Sequence, residues 1–296
     1  MTPTISLNPV DDLNALFTFP FMVNALEAGT IVAVLAAIVG WYMVLRRQTF
    51  AGHTLSVMAF PGAAGAALAG LPTALGYYLA CGAAALLMRG ARGSSGLGSR
   101  SRSYGSETAT IATVQTVGLA AGYLFLSLNH AVLGGTETLL FGTFLGVSRG
   151  QVLTLLLVAV AALALVALAM RPLLLETIDP EAARARGLPV AALDLGFLLV
   201  LALAVAATSQ ITGALLVFAL LVAPPAAAQQ LTMRPGRGLV LSVVFALVVV
   251  WLGLGVAYFS IYPVGFYVTS FAFAVYLAAR LAHATRVRRR HRSTSA

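Results

Sequence analysis

The stretch Met22–Leu45, MVNALEAGTIVAVLAAIVGWYMVL, is followed directly by Arg46 and Arg47. Apart from Glu27 it carries no charge, and it reads as one continuous apolar run. A bilayer's hydrocarbon core is about 30 Å thick and a helix rises about 1.5 Å per residue, so about 20 apolar residues cross it. Backbone polar groups have no water to bond in lipid, so such a run must be helical. No Lys or Arg precedes Arg46. The run therefore lacks the basic flank of a cleaved secretory signal and is read as a retained span.

The rest of the chain repeats this pattern. Further apolar segments fall at Thr54–Leu71, Thr73–Met88, Thr108–Leu128, Gln151–Met170, Val190–Ala207, Ile211–Ala228, Leu239–Tyr258 and Val264–Ala282. Leu139–Val147 is too short to cross and is expected to be interfacial or re-entrant, and Asp11–Phe21 is expected to be another interfacial piece. Of the 296 residues, 60% are hydrophobic and 9% charged, where a soluble domain carries about a quarter charged. The expected fold class is all-α: a single polytopic membrane domain over residues 1–296, with eight or nine crossings. The one cysteine, Cys81, sits in an apolar run and can form no intrachain disulfide.

Arginine sets the expected orientation. All 18 basic residues are Arg, and placing the link after the first span in the cytoplasm puts every one but Arg149 on that side. Such a split follows the positive-inside bias. It puts the N-terminus outside and the C-terminus inside, with an odd number of spans, nine fitting best. Residues 89–106, RGARGSSGLGSRSRSYGS, are expected to form a flexible cytoplasmic loop, and residues 283–296 a basic cytoplasmic tail. Anionic lipid accounts for that tail's charge, and no nucleic-acid partner is expected.

Composition also excludes chemistry. With no lysine, the chain can carry neither a phosphate-binding GxxxxGK[ST] loop nor a Schiff-base nucleophile. HExxH and GxSxG are absent. The chain is not read as an enzyme, and any ATP it uses must be hydrolysed by another subunit.

Within the loop at residues 171–189, IDPEAARARGLPV (Ile178–Val190) has the make-up of a short helix with both ends closed. Asp179 suits the N-cap, Pro180 the first position, Glu181 the positive helix end and Gly187 the left-handed stop. Small residues in the second span, among them Gly62, Gly65, Ala66 and Gly70, would let helices approach closely. Gln115 shares a face with Gly118 and Gly122 and is expected to bond between helices. Pro224 and Pro225 interrupt the seventh span, either as a broken helix along a transport path or as a packing kink.

Four stretches together carry a family resemblance: VLRRQTFAGHTLSVMAFPGAAGAALAG (Val44–Gly70), LLFGTFLGVS (Leu139–Ser148), IDPEAARARGLPV and ITGALLVFALLVAPPAAAQQL (Ile211–Leu231). In order and spacing the chain resembles, from about Phe19 to Arg280, the permease subunit of bacterial ABC importers for zinc and manganese. The resemblance implies a homodimeric permease in the bacterial inner membrane, with separate ATPase subunits inside and a metal-binding solute-binding protein outside. No cofactor would be permanently bound; the cargo would be Zn²⁺ or Mn²⁺. It also implies that the 171–189 loop carries the coupling helix docked on the ATPase, with Asp179, Glu181, Ala183, Arg184 and Gly187 in that role.

Family members typically place Asp and His four residues apart at the start of the second span, on one helix face. Here His53 stands at the Asp position and Val57, which ligates nothing, at the His position. His53 is read as a substrate-path residue or a hydrogen-bonded packing histidine. Glu27, an acid inside a span, is the other path candidate. His130 and Glu137 lie in the expected outer loop. A chelated metal or an organic solute is the alternative cargo, and an ATP-independent secondary transporter the remaining alternative.

Overall fold

The computed structural model describes residues 17–94, 100–129, 142 and 144–294. Nine α-helices are defined among them: α1 (Pro20–Leu45), α2 (Thr49–Leu68), α3 (Thr73–Ser94), α4 (Arg100–Leu128), α5 (Arg149–Ile178), α6 (Pro180–Ala185), α7 (Val190–Leu231), α8 (Pro235–Tyr258) and α9 (Val264–Thr294), with a 3-10 turn at Phe144–Gly146. Strands are absent among the described residues.

Six segments combine the length and hydropathy needed to cross a bilayer: Pro20–Leu45, Ala109–Leu128, Arg149–Ile178, Val190–Ala214, Pro235–Tyr258 and Val264–Arg286. The other three expected spans are also helical but do not combine those two properties. In α2 and α3 the cause is composition, since Gly, Ala, Thr and Ser displace larger apolar residues. In the third case the helix is cut short, leaving Leu216–Leu231 as the apolar arm. Outward-facing side chains are themselves apolar, as on α5, where Leu157 and Leu168 are 72% and 81% exposed. Lipid is the solvent that face requires.

The chain divides into two compact units. The first comprises residues 1–44, 144–154 and 219–296. Its centre is α1, which is buried on nearly every side from Met22 to Met43. Two glycines let neighbours come close: a Cβ on Gly29 would press on Val250 and Leu254 of α8, and one on Gly40 would overlap the Leu221 carbonyl. Side chains satisfy backbone carbonyls between helices. Gln229 donates to Trp41 O at 3.0 Å and Ser242 to Ala37 O at 3.3 Å. Helices α8 and α9 pack together, and a Cβ on Gly253 would strike Val268.

The second unit comprises residues 45–143 and 155–218. Here α2 packs on both α3 and α4. Gly62 and Gly76 face each other so closely that a Cβ on either would overlap the other's carbonyl. Gly118 and Gly122 of α4 lie against Met58, Phe60 and Pro61 of α2. The small residues thus serve close helix approach, as expected from the sequence.

Three expectations need correction. The seventh span is not broken at Pro224 and Pro225, which lie inside continuous helix; the break is at Gly213, with φ 75° and ψ 160°. That conformation is accessible to glycine and strained for other residues. Proline is tolerated because Pro225 removes the N–H that Leu221 O would accept, and Gly40 brings its Cα–H against that same oxygen. Nor are residues 89–106 a loop throughout: α3 runs to Ser94 and α4 starts at Arg100. Arg and Ala propagate helix well, and the Arg89 guanidinium donates to the Ala191 carbonyl, which anchors that end of α3. The 171–189 link is also shorter than expected, because α5 continues to Ile178. The re-entrant stretch is described only at Gly142 and 144–147, and Asp11–Phe21 only from Phe17, where Phe17, Phe19 and Phe21 are exposed.

Replacing Gly62 with Ala forces α2 from α3 and should lower stability by about 1–3 kcal/mol, the usual cost of overpacking. At Gly82 an added Cβ meets nothing within 4 Å, so Gly82→Ala should be neutral or stabilising. Thermal unfolding of the two purified variants in the same detergent checks the contrast.

Candidate functional site

Three groups of residues carry chemistry. The first surrounds His53, one turn into α2. Its ring lies 4.7 Å from Phe218, and Nε2 is 3.4 Å from Nε2 of Gln115 on α4. Gln115 Oε1 accepts from Thr54 Oγ1 at 3.1 Å, so Gln115 bonds between helices as its position on α4 predicts. Nδ1 of His53 is buried without a hydrogen-bond partner. With the Gln115 amide nitrogen toward Nε2, Nδ1 carries the ring proton; with the amide turned over, its oxygen accepts from Nε2–H and Nδ1 is a free lone pair. Val57 is buried one turn further on and contributes only methyl groups.

Glu27 belongs to the first unit, is exposed, and is the one charged residue of α1. The structure does not gather a metal cage from these residues: among the described residues, no three of His, Cys, Asp and Glu come close enough to hold an ion. His130 and Glu137 lie outside the described residues. Cys81, fully buried, donates its thiol to Leu55 O at 3.4 Å and is a packing residue.

The second group is α6. Asp179 Oδ1 accepts from the backbone N–H of Glu181 at 3.1 Å and of Ala182 at 2.9 Å, with Pro180 in the first turn. At the other end Gly187, at φ 74°, donates to Arg184 O at 2.9 Å, and Leu188 N donates to Ala183 O at 3.1 Å. This pair of bonds is the Schellman stop, which satisfies the carbonyls a helix end leaves open. The structure thus places the residues singled out from sequence in two sets. Ala183 is fully buried, while Asp179, which caps the helix, and Glu181, Arg184 and Gly187 are exposed.

The third group escaped the sequence reading. Arg46, at the exit of α1, reaches Glu176 in the last turn of α5 and Asp194 in the first turns of α7. Nη1 bonds Glu176 Oε2 at 2.6 Å, and Nη2 bonds Glu176 Oε1 at 3.2 Å and Asp194 Oδ1 at 2.9 Å. Gln48 Nε2 adds a bond to Asp194 Oδ1 at 2.8 Å, and the guanidinium lies 5.1 Å over the Phe197 ring. The side chains of Arg46 and Glu176 are only 4% and 9% exposed. Burial alone would weaken the Arg46 charge, but hydrogen bonds and charge from Glu176, then Asp194, outweigh it and hold its pKa above the ordinary value. Only Arg46's positive charge was used in reading topology. The available signal was the two acids set in apolar helix ends, LLLETI and AALDLGFLL, where an isolated acid needs a partner.

Long apolar helices, helix ends tied by buried ion pairs and one short capped helix outside the spans define a multi-span membrane protein. Comparison with known proteins makes this specific. The ABC 3 transport family matches residues 18–283, so the chain belongs to that family and is a membrane permease. It is 30% identical over 246 residues to the chelated iron transport system membrane protein YfeC of Yersinia pestis, covering 83% of this chain and 80% of that one. To the manganese transport system membrane protein MntC of Halalkalibacterium halodurans it is 29% identical, also covering 83% and 80%. Its fold matches PsaBC from Streptococcus pneumoniae in complex with Fab, with TM-score 0.79 at 24% identity over 92% of this chain and 95% of that one.

Replacing Arg46 with Met strands a buried Glu176 carboxylate, and should cost about 3–5 kcal/mol, as broken buried ion pairs do. Glu176→Gln, which keeps shape and hydrogen bonding without the charge, should cost less. Denaturant unfolding in detergent separates the two.

Proposed function

We propose that the chain is the transmembrane permease subunit of an ABC importer for a divalent transition metal, working as a homodimer. Two ATPase chains would bind its cytoplasmic side and a solute-binding protein its outer side. The observation that carries this reading is α6: a helix closed at both ends, exposed at Glu181, Arg184 and Gly187, and inserted between two long membrane helices. A permease driven by a separate ATPase needs such an element, because a frayed helix would absorb the partner's movement and a capped one passes it on. ATP-driven closure of the ATPases would displace α6 and alternate access to a path between the permeases. No bond of the cargo is made or broken on this chain.

Support for a metal cargo comes from the relatives, whose names cover manganese and chelated iron, and from His53, whose Nδ1 lacks a hydrogen-bond partner and is a free donor when the Gln115 amide is turned over. Imidazole suits zinc and iron, and manganese where oxygen donors join it, and ligation on the path should be weak and shared among sites, so that the ion leaves as readily as it enters. Manganese or zinc is the leading cargo. Val57 in place of a second ligand favours a chelated metal as the other reading, since a chelator would supply the missing donors.

Two measurements test this. Elemental mass spectrometry of a strain lacking the gene, grown in metal-poor medium, should show low manganese or zinc that the wild-type gene restores. His53→Ala and Glu27→Ala, at equal membrane abundance, should restore it incompletely. Unchanged metal on deletion would falsify the free-metal reading; loss of iron alone points to the chelate. Asp179→Ala should fray α6, costing about 0.5–2 kcal/mol locally, and should reduce ATPase co-purification and metal uptake while leaving the permease in the membrane.

A further inference from the structure

The Arg46 cluster lies on both sides of α6 in the chain and at the root of α2 in space. Glu176 closes α5 just before the Asp179 cap, and Asp194 opens α7 just after the Gly187 stop. Arg46 holds both acids in one guanidinium fork, and its Nη1 is also 3.3 Å from Thr177 Oγ1. Gln48, 8% exposed, adds its own bond to Asp194 and is the residue from which α2 starts. His53 follows one turn later. All of these residues belong to the second compact unit.

On the reading of α6 as the docking helix for an ATPase subunit, we propose that Arg46 is a positioning residue for transport. Its fork onto Glu176 and Asp194, with Gln48, carries displacement of α6 to α2 and so to His53. The geometry suits this job better than a topological one. An exposed arginine would be enough to bias insertion, yet this one is buried, bonded to two acids and stacked on Phe197. A planar five-donor fork fixes two carboxylates at once; a lysine ammonium keeps the charge but cannot fix both. The two α6 flanks and the α2 start are thereby held as one body, and neither flank can move without the other.

The conservative variant Arg46→Lys separates this from a charge or insertion role. The full permease, co-purified with its ATPase and reconstituted in vesicles, is given Mn²⁺ and ATP. Uptake per ATP hydrolysed is measured for wild type, Arg46→Lys, Glu176→Gln and Asp194→Asn. In parallel, spin labels at Phe50→Cys and Arg186→Cys, both exposed, report the α2–α6 distance without nucleotide and with ATP trapped; native Cys81 is buried and stays unlabelled. The wild-type distance should be narrow and the same in both states. Arg46→Lys should broaden it, make it nucleotide-dependent, and lower uptake per ATP by about tenfold, the scale on which coupling networks act. The acid variants should do the same to a smaller degree. An unchanged distance and ratio in Arg46→Lys overturns the proposal. So does a parallel fall of uptake, hydrolysis and thermal midpoint at constant ratio, which marks a purely stabilising role. A wild type that hydrolyses ATP and moves no Mn²⁺ overturns the manganese reading instead, while the distances still decide on the fork.

Discussion

Everything in this chain depends on one constraint: inside hydrocarbon, each backbone N–H and C=O must find a partner within the protein. Continuous helix answers it over most of the length. Where proline removes a donor, or a buried side chain carries a donor of its own, the main-chain carbonyls supply the match. Leu221 O, deprived of a donor by Pro225, meets the Cα of Gly40. Trp41 O and Ala37 O take bonds from Gln229 and Ser242. Thr30, Thr208 and Thr212 return their hydroxyls to carbonyls one turn back in their own helices. Glycine and small polar residues matter here as much as the apolar ones.

The same economy operates at the membrane's edge, with charge in place of amides. Three helix termini that would otherwise be loosely joined converge on one guanidinium. A buried ion pair adds little net stability compared with an apolar packing of the same volume, because two charges must leave water. What it does add is geometry. The fork admits one arrangement of Glu176 and Asp194, and that arrangement sets the spacing of the helices on either side of α6.

How much of this could be read from residues varies with how local the physics is. The α6 caps were legible because every determinant lies within IDPEAARARGLPV: Asp, Pro and Gly each act on their nearest neighbours. The inward face of Gln115 was legible because Gly118 and Gly122 repeat at helical spacing. The break in α7 was misplaced because proline is a strong local signal, while its tolerance depends on Gly40, far away in the chain. Gly213 sits in ITGALL with nothing to mark it as the break. Arg46 was invisible as a tie for the same reason: its partners lie at positions 176 and 194, and no local pattern links them. His53 fell between, since its position was readable while Phe218 and Gln115 as neighbours were not.

The meeting of Gly142 with the α7 break has a kinetic side. A Cβ on Gly142 would overlap the main-chain atoms of Ile211, Thr212 and Gly213, and both glycines hold positive φ. The contact is therefore main chain against main chain, with no side chain between. Exposed side chains change rotamer in about picoseconds to nanoseconds. This one widens only when main chain moves, a slower motion of about nanoseconds to microseconds for loops and longer for packed helices. Thermal jostling of side chains leaves it shut, and whatever parts these two segments must act on the main chain itself.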